Sequence, residues 1–170
     1  GNYSHDNHGP GIWSDGNGIN FLYENNTVED NYANGIFHEI SYDAVIRNNV
    51  IKGNGFGQDV WLWGGGIMIA SSPNVEIYGN TLEGNANGIA LTRQNRGSGK
   101  YGEHTLANEY VHNNTVISSG LTGAAQDINS NAIYSAGLRF ENNTYSGSSG
   151  WFWMNRQVSW SQWNSYGNDD

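Results

Sequence analysis

Cysteine is absent, and proline occurs only 2 times in 170 residues. The first absence excludes disulfides, thiolate nucleophiles and cysteine-ligated metals. Charge is scarce too: 14% of residues are charged, with 7 Lys and Arg against 16 Asp and Glu, for a formal net charge of −9. The few basic residues are scattered, so no cationic stripe exists to meet a phosphate backbone, and nucleic acid is excluded as a partner. No apolar run approaches the roughly 20 residues of a membrane-spanning helix. The opening "GNYSHDN" carries no signal peptide, so an export signal is expected to have been removed or never to have been present.

What the sequence has in abundance is 24 Gly and 26 Asn. Val, Ile, Thr and aromatic residues recur in runs of three to six, broken by Asn-Gly or Gly-Asn, which is the pattern of short strands joined by tight turns. The length suits one domain, and strong helix formers are too rare for a helical one. An all-β protein is expected.

A repeat then narrows the architecture. "YENNTV" (Tyr23 to Val28), "IRNNVI" (Ile46 to Ile51), "IYGNTL" (Ile77 to Leu82), "VHNNTV" (Val111 to Val116) and "FENNTY" (Phe140 to Tyr145) align without gaps. Their second Asn residues are Asn26, Asn49, Asn80, Asn114 and Asn143, so the steps are 23, 31, 34 and 29 residues. A second motif keeps pace: "GIWSD" (Gly11 to Asp15), "GIFHE" (Gly35 to Glu39), "GIMIA" (Gly66 to Ala70), "GIALT" (Gly88 to Thr92) and "AIYSA" (Ala132 to Ala136). A coil of 23 residues is too short for helix-containing repeats and fits three strands with three turns. One Asn per coil would stack into a ladder of side-chain amides at the strand spacing of ~4.8 Å.

These coils resemble the right-handed parallel β-helix repeats of the pectin-lyase-like superfamily, over roughly residues 2 to 149. The resemblance implies a solenoid of about five coils within a single domain, 1–170, and leaves the activity open among lyases, hydrolases, epimerases and non-catalytic surface proteins. Residues 150–170 depart from the repeat and hold four of the 7 Trp, which predicts a last partial coil and an aromatic C-terminal cap. "SHDNHGPG" (Ser4 to Gly11) overlays "VEDNYANG" (Val28 to Gly35), so the chain opens in mid-coil. That end is expected either to continue into upstream coils, which would make this chain the C-terminal part of a longer β-helix, or to pair end to end with another chain.

Alternation along the Gly-Ile strands assigns faces. Ile12, Ile36, Ile67, Ile89 and Ile133 point inward, as do Ser14, His38, Ile69, Leu91 and Ser135. Trp13, Phe37, Met68, Ala90 and Tyr134 point outward, as do Asp15, Glu39, Ala70, Thr92 and Ala136. Asp15 and Glu39 are thereby predicted on adjacent rungs, where like charges at about 5 Å would raise one pKa and serve acid–base chemistry. Glycosidase carboxyl pairs lie about 5 to 9.5 Å apart, according to mechanism. His8, in the turn before Trp13, is a third catalytic candidate as a proton carrier.

Trp13 and Phe37, with Trp61 and Trp63 from the insertion "FGQDVWLWGGG" (Phe56 to Gly66), are candidate sugar platforms. The insertion "TRQNRGSGKYGEHTLANE" (Thr92 to Glu109) gathers three basic residues, and from it Arg93 is the candidate for binding an anionic group of the substrate. Among the remaining charges, Glu24 with Arg47 and Glu29 with Lys52 and Glu83 are expected to form ion pairs across rungs, and Asp43 to bond turn backbone. Asn25, Asn113 and Asn142 open Asn-x-Thr triplets, but as ladder residues they would not imply glycosylation. No cofactor or metal is expected; calcium remains open, without the clustered aspartates that would support it.

The expected function is therefore that of a secreted or cell-surface carbohydrate-active protein cleaving or modifying a polysaccharide. The alternative is a non-catalytic glycan-binding or structural module.

Overall fold

The computed structural model describes residues 1–58, 60–127 and 132–170; Asp59, inside the first insertion, lies outside them. Three sheets of six, seven and five strands, parallel except for the last strand of the seven-stranded one, run along the molecule, and each full coil contributes one strand to each sheet. Pairing follows the repeat: Thr27 lies beside Val50, Val50 beside Thr81, Thr81 beside Thr115 and Thr115 beside Thr144. The parallel β-helix expected from the repeat is thus the observed fold.

The interior is built from stacked apolar rows. Ile36, Ile67 and Ile89 are 0% exposed in the seven-stranded sheet, Ile46, Ile77, Val111 and Phe140 in the five-stranded one, and Val28, Ile51, Leu82 and Val116 in the six-stranded one. Each side chain contributes about 1.5–3 kcal/mol by leaving water.

The Asn repeat forms the expected ladder. Asn26 Nδ2 donates to Asn49 Oδ1 (2.8 Å), and Asn49, Asn80 and Asn114 each donate to the next Asn at 2.9 Å. Asn143 ends the series by donating to Asp169 Oδ1 at 2.9 Å. The residue before each ladder Asn has positive φ: Asn25 56°, Asn48 55°, Gly79 64°, Asn113 52° and Asn142 56°. Asn and Gly tolerate that left-handed conformation best, so the dipeptides Asn-Asn and Gly-Asn encode a turn residue followed by a ladder residue. This corrects the expectation for the Asn-x-Thr triplets: Asn25, Asn113 and Asn142 are exposed turn residues, and the ladder uses their neighbours.

Two further ladders were not foreseen. Asn7, Asn31, Asn54 and Asn85 donate in turn to the next Asn and finally to Ser119 Oγ, at 2.7, 2.8, 2.9 and 3.3 Å. On another turn Asn108 donates to Asn74, and Asn74 to Asp43, at 2.9 and 2.8 Å. Asp43 thus accepts from a side-chain amide of the next coil, where backbone N-H groups were expected.

The fifth Gly-Ile rung needs correction. Ala132–Ser135 is a 3-10 helix, and the rung beside Asn87–Arg93 is Leu121–Gln126, which places Gly123 next to Ala90 and Ala124 next to Leu91. Thr122 takes the place of the inward Ile, its Oγ1 accepting from Ile89 N at 3.2 Å, while Ile133 reaches the same interior from the helix. Tyr134, Ser135 and Ala136 therefore belong to no strand of this face.

At the N-terminal end Tyr3–His5, Ile12–Ser14 and Ile19–Glu24 are the edge strands of the three sheets. At the other end Gly150–Trp153 extends the Gly-Ile sheet, Arg156–Val158 pairs antiparallel with it, and the short helix Trp160–Ser165 covers the interior. Trp163 from that helix is 0% exposed and lies edge-on to Phe140 and Trp153, at 4.9 and 5.5 Å between ring centroids.

Candidate functional site

The outward row of the Gly-Ile sheet is open at its first rung, where Trp13 is 55% exposed, and nearly closed at the second, where Phe37 and Glu39 are 6% and 9% exposed. Leu62, from the 56–64 insertion, is 0% exposed and packs on Phe37, Met68, Ala90, Ala125 and Phe152. Met68, Ala70, Ala90 and Thr92 face outward as alternation predicts, yet 1% or less of each is exposed. The expected groove along the whole strand face is in this way reduced to a shorter one.

What remains is a cavity of about 530 Å³. Its floor is Trp13, Phe37 and Glu39, one wall is Gln58, Val60 and Trp63, and the other is His8 to Pro10 with Tyr32. Trp13 is 55% exposed and lies parallel to Phe37, with centroids 6.0 Å apart and planes at 7°. The two rings sit on paired residues of adjacent rungs, so the strand register itself stacks them. Trp63 meets Phe37 edge-on at 5.9 Å and 85°. His8 is exposed, its ring 4.6 Å from that of Tyr32. Five of the eight residues expected from the sequence are thereby brought together: His8, Trp13, Phe37, Glu39 and Trp63.

The other three lie apart. Trp61 packs edge-on against Phe152 at 5.8 Å, anchoring its insertion to the wall. Arg93 is bound to Glu103 at 2.8 Å. Asp15 follows the strand Ile12–Ser14, is exposed, and does not line the cavity.

Glu39 is 9% exposed, and its Oε1 accepts from Arg96 Nη1 at 2.7 Å. Arg96 was passed over in favour of Arg93, since a loop outside the repeat supplies no register from which to choose. The loop carries a small hairpin, Ser98–Gly99 against Gly102–Glu103, which folds back over the first coils. Lys100 N donates to Asn17 Oδ1 at 2.9 Å, and Tyr42 OH donates to the Gly102 carbonyl at 2.8 Å. His104, 5% exposed, lies 5.3 Å from the Tyr42 ring, and its Nδ1 has no hydrogen-bond partner among the described residues. Its pKa is lowered by burial and by Arg96, with the charge of Asp15 acting the other way.

His38 faces inward as expected and is 0% exposed. Its Nδ1 meets Ser14 Oγ at 2.8 Å and Tyr23 OH at 3.1 Å, while Tyr23 OH also donates to Ser14 Oγ at 2.5 Å. Burial pulls the His38 pKa down to about 4 and pushes Tyr23 up to about 12. A neutral imidazole accepting at Nδ1 fits this network, and the cluster lies inside the coil, away from the groove.

The remaining charges pair across rungs. Arg47 binds Glu24 at 2.7 Å and Lys52 binds Glu83 at 2.8 Å, whereas Glu29 accepts from Tyr3 OH. Among the described residues no group of three or more His, Asp or Glu is placed to hold a metal ion, and no helix is long and apolar enough to cross a membrane.

Comparison with curated proteins and with solved structures yields no match. A family model described as "right handed beta helix region" matches residues 1–167, and with the three parallel sheets this shows that the chain belongs to the right-handed β-helix family.

Proposed function

We propose that this protein is a carbohydrate-active β-helix that engages a polysaccharide in the groove over its first two coils, with Glu39 as the acid–base residue. The observation that carries the proposal is the exposed Trp13 plane, stacked parallel on Phe37 at the floor of a cavity that also contains Glu39. An aromatic plane beside a few convergent polar groups suits a sugar ring, whose faces are apolar and whose edges are hydroxyls. A polysaccharide partner would place the protein on the cell surface or outside the cell.

A second reading is favoured by the Glu39–Arg96 ion pair and by the absence of Asp15 from the lining. In that reading the groove binds glycan and performs no chemistry on it.

One panel separates them. Affinity electrophoresis and product analysis are run on the parent chain, Trp13→Ala and Glu39→Gln with plant, algal and bacterial polysaccharides. The catalytic reading expects turnover by the parent, lost in Glu39→Gln with binding retained. Binding lost in Trp13→Ala, with no turnover by the parent on any polysaccharide it binds, would leave the binding module. Failure of the parent to bind any member of the panel would sink both.

A further inference from the structure

We infer that the groove takes a neutral glycan rather than a uronic acid or sulfated polymer, and that Glu39 sets this preference by neutralising Arg96. The inference rests on the polysaccharide reading above and names its substrate class.

The argument begins with the basic residues. There are 7 in the chain, and five of them pair with carboxylates. Arg47, Lys52, Arg93 and Arg96 are held at 2.7–2.8 Å by Glu24, Glu83, Glu103 and Glu39. Arg139 stands 3.7 Å from Glu141 and 4.0 Å above the Tyr110 ring. Lys100 lies 5.0 Å from the Tyr101 ring centroid, and Arg156 donates to Tyr166 OH at 3.1 Å. Of the three basic residues in the loop that looks cationic in sequence, Arg93 and Arg96 have their charges closed by carboxylates, and Lys100 lies over the Tyr101 ring.

Among its described lining residues the groove contains no Lys or Arg and one carboxylate, Glu39. A polymer with a carboxylate on each ring would enter a site that offers an acid and no counter-charge, on a protein of net charge −9. Such a polymer is repelled at long range and loses hydration without compensation at short range. A neutral sugar faces neither penalty. Its hydroxyls can bond Glu39 and Gln58, and its ring faces can stack on Trp13.

Glu39 is the pivot of this selectivity. Arg96 is the cation nearest the floor of the groove through its contact with Glu39, and a planar guanidinium freed from that contact would offer a carboxylate two donors. Removing the Glu39 charge should therefore convert the site from one that excludes uronates to one that accepts them.

The test uses the full chain and glycans paired to differ only in the carboxylate: polygalacturonate with its carboxyl-reduced galactan, and polymannuronate with its carboxyl-reduced mannan. Affinity is read at low and high salt. In the pair that binds, the neutral member is expected to be tighter by about tenfold or more, with little salt dependence. Glu39→Gln is expected to raise uronate affinity by about tenfold, and to make that new binding salt-sensitive. Glu103→Gln, which frees Arg93 outside the groove, serves as the control and should leave uronate affinity unchanged. Tighter uronate binding by the parent, an unchanged uronate affinity in Glu39→Gln, or an equal rise in Glu103→Gln would each overturn the inference while leaving the sugar site standing. Failure to bind either member of any pair would instead remove the polysaccharide reading on which it rests.

Discussion

The Arg96 guanidinium lies 2.7 Å from the Glu39 carboxylate, although 57 residues separate them in the chain. The contact ties the loop of the fourth coil to the second coil and fixes the position of the one carboxylate among the described residues of the groove lining. With only 12% of the Glu39 side chain exposed, a carboxylate deprived of Arg96 is poorly hydrated. Arg96→Met is expected to lower stability by about 2 kcal/mol, and Arg96→Met with Glu39→Gln to recover most of it, because no charge is then left without a partner. Urea denaturation of the parent, both single variants and the double variant measures the coupling; additive losses would show that the pair is not a unit.

Interior ladder residues carry more than their neighbours in the turns. Asn80 Oδ1 accepts from both Asn49 N (3.0 Å) and Asn49 Nδ2 (2.9 Å), and its own amide donates to Asn114 and to the Ile46 carbonyl. Asn80→Ala strands donors and an acceptor in a site 1% exposed and should cost about 3 kcal/mol. Asn48→Ala, one turn residue away from the ladder, should cost about 1 kcal/mol, from its left-handed backbone alone. Chemical denaturation of the two variants checks the order.

Acid sensitivity should map to His38. Its folded pKa, about 4, lies below the ordinary value of 6.5, so the unfolded chain binds the proton more tightly across that interval. The stabilisation is complete above about pH 6.5 and is lost as pH falls toward 4, amounting to about 3 kcal/mol. His38→Gln, read by thermal melts between pH 4 and 7, should flatten this slope even if its plateau is lower. A variant as acid-sensitive as the parent would assign the slope to other groups.

Glu109 gives the opposite slope. It is 0% exposed, its Oε2 accepts from Val75 N at 3.1 Å and its Oε1 from Ala107 N at 3.2 Å. Burial raises its pKa well above the usual carboxylate range, with the two backbone N-H groups opposing. The folded state therefore holds the proton more tightly, and stability declines as pH rises beyond the ordinary range of a glutamate. Glu109→Gln removes the titration but sets an amide nitrogen against one of the two backbone N-H groups, so its melting temperature should change less between pH 5 and pH 8 than that of the parent. An unchanged difference between the two pH values would refute this.

The sequence made the coil architecture legible because every coil repeats the same physical demand: an inward aliphatic, a left-handed turn residue and a buried amide. Asn26, Asn49, Asn80, Asn114 and Asn143 could be aligned by eye, and all five stack. Periodicity also assigned faces correctly for Phe37, His38 and Met68, but outward on a strand is not the same as exposed, and only the insertion carrying Leu62 decides which outward residues meet solvent. Arg96 and His104 were unreadable for the same reason: a loop outside the repeat has no register, and its contacts with Glu39 and Tyr42 are set by tertiary closure. The rung at Leu121–Gln126 was missed because Thr122 and Gly123 stand where the other coils have Ile and a larger residue, whereas the Ala-Ile at 132–133 imitates the motif within a 3-10 helix.

The amide ladder also has a direction. From Asn26 to Asn143 every side chain donates toward the next coil and accepts from the previous one; Asn2 donates into the series, and Asp169 supplies an acceptor with no amide proton to pass on. An internal coil thus has a valency of one in and one out, like the repeat unit of a condensation polymer, and Asp169 acts as the chain terminator. In this ladder whole coils can be inserted or deleted between Asn26 and Asn143 without leaving an open valence, and Asp169 closes it as Asp43 closes the Asn108–Asn74 series. Lengthening such a protein by duplication is therefore chemically permitted at any interior rung, and the natural unit of its growth is the coil.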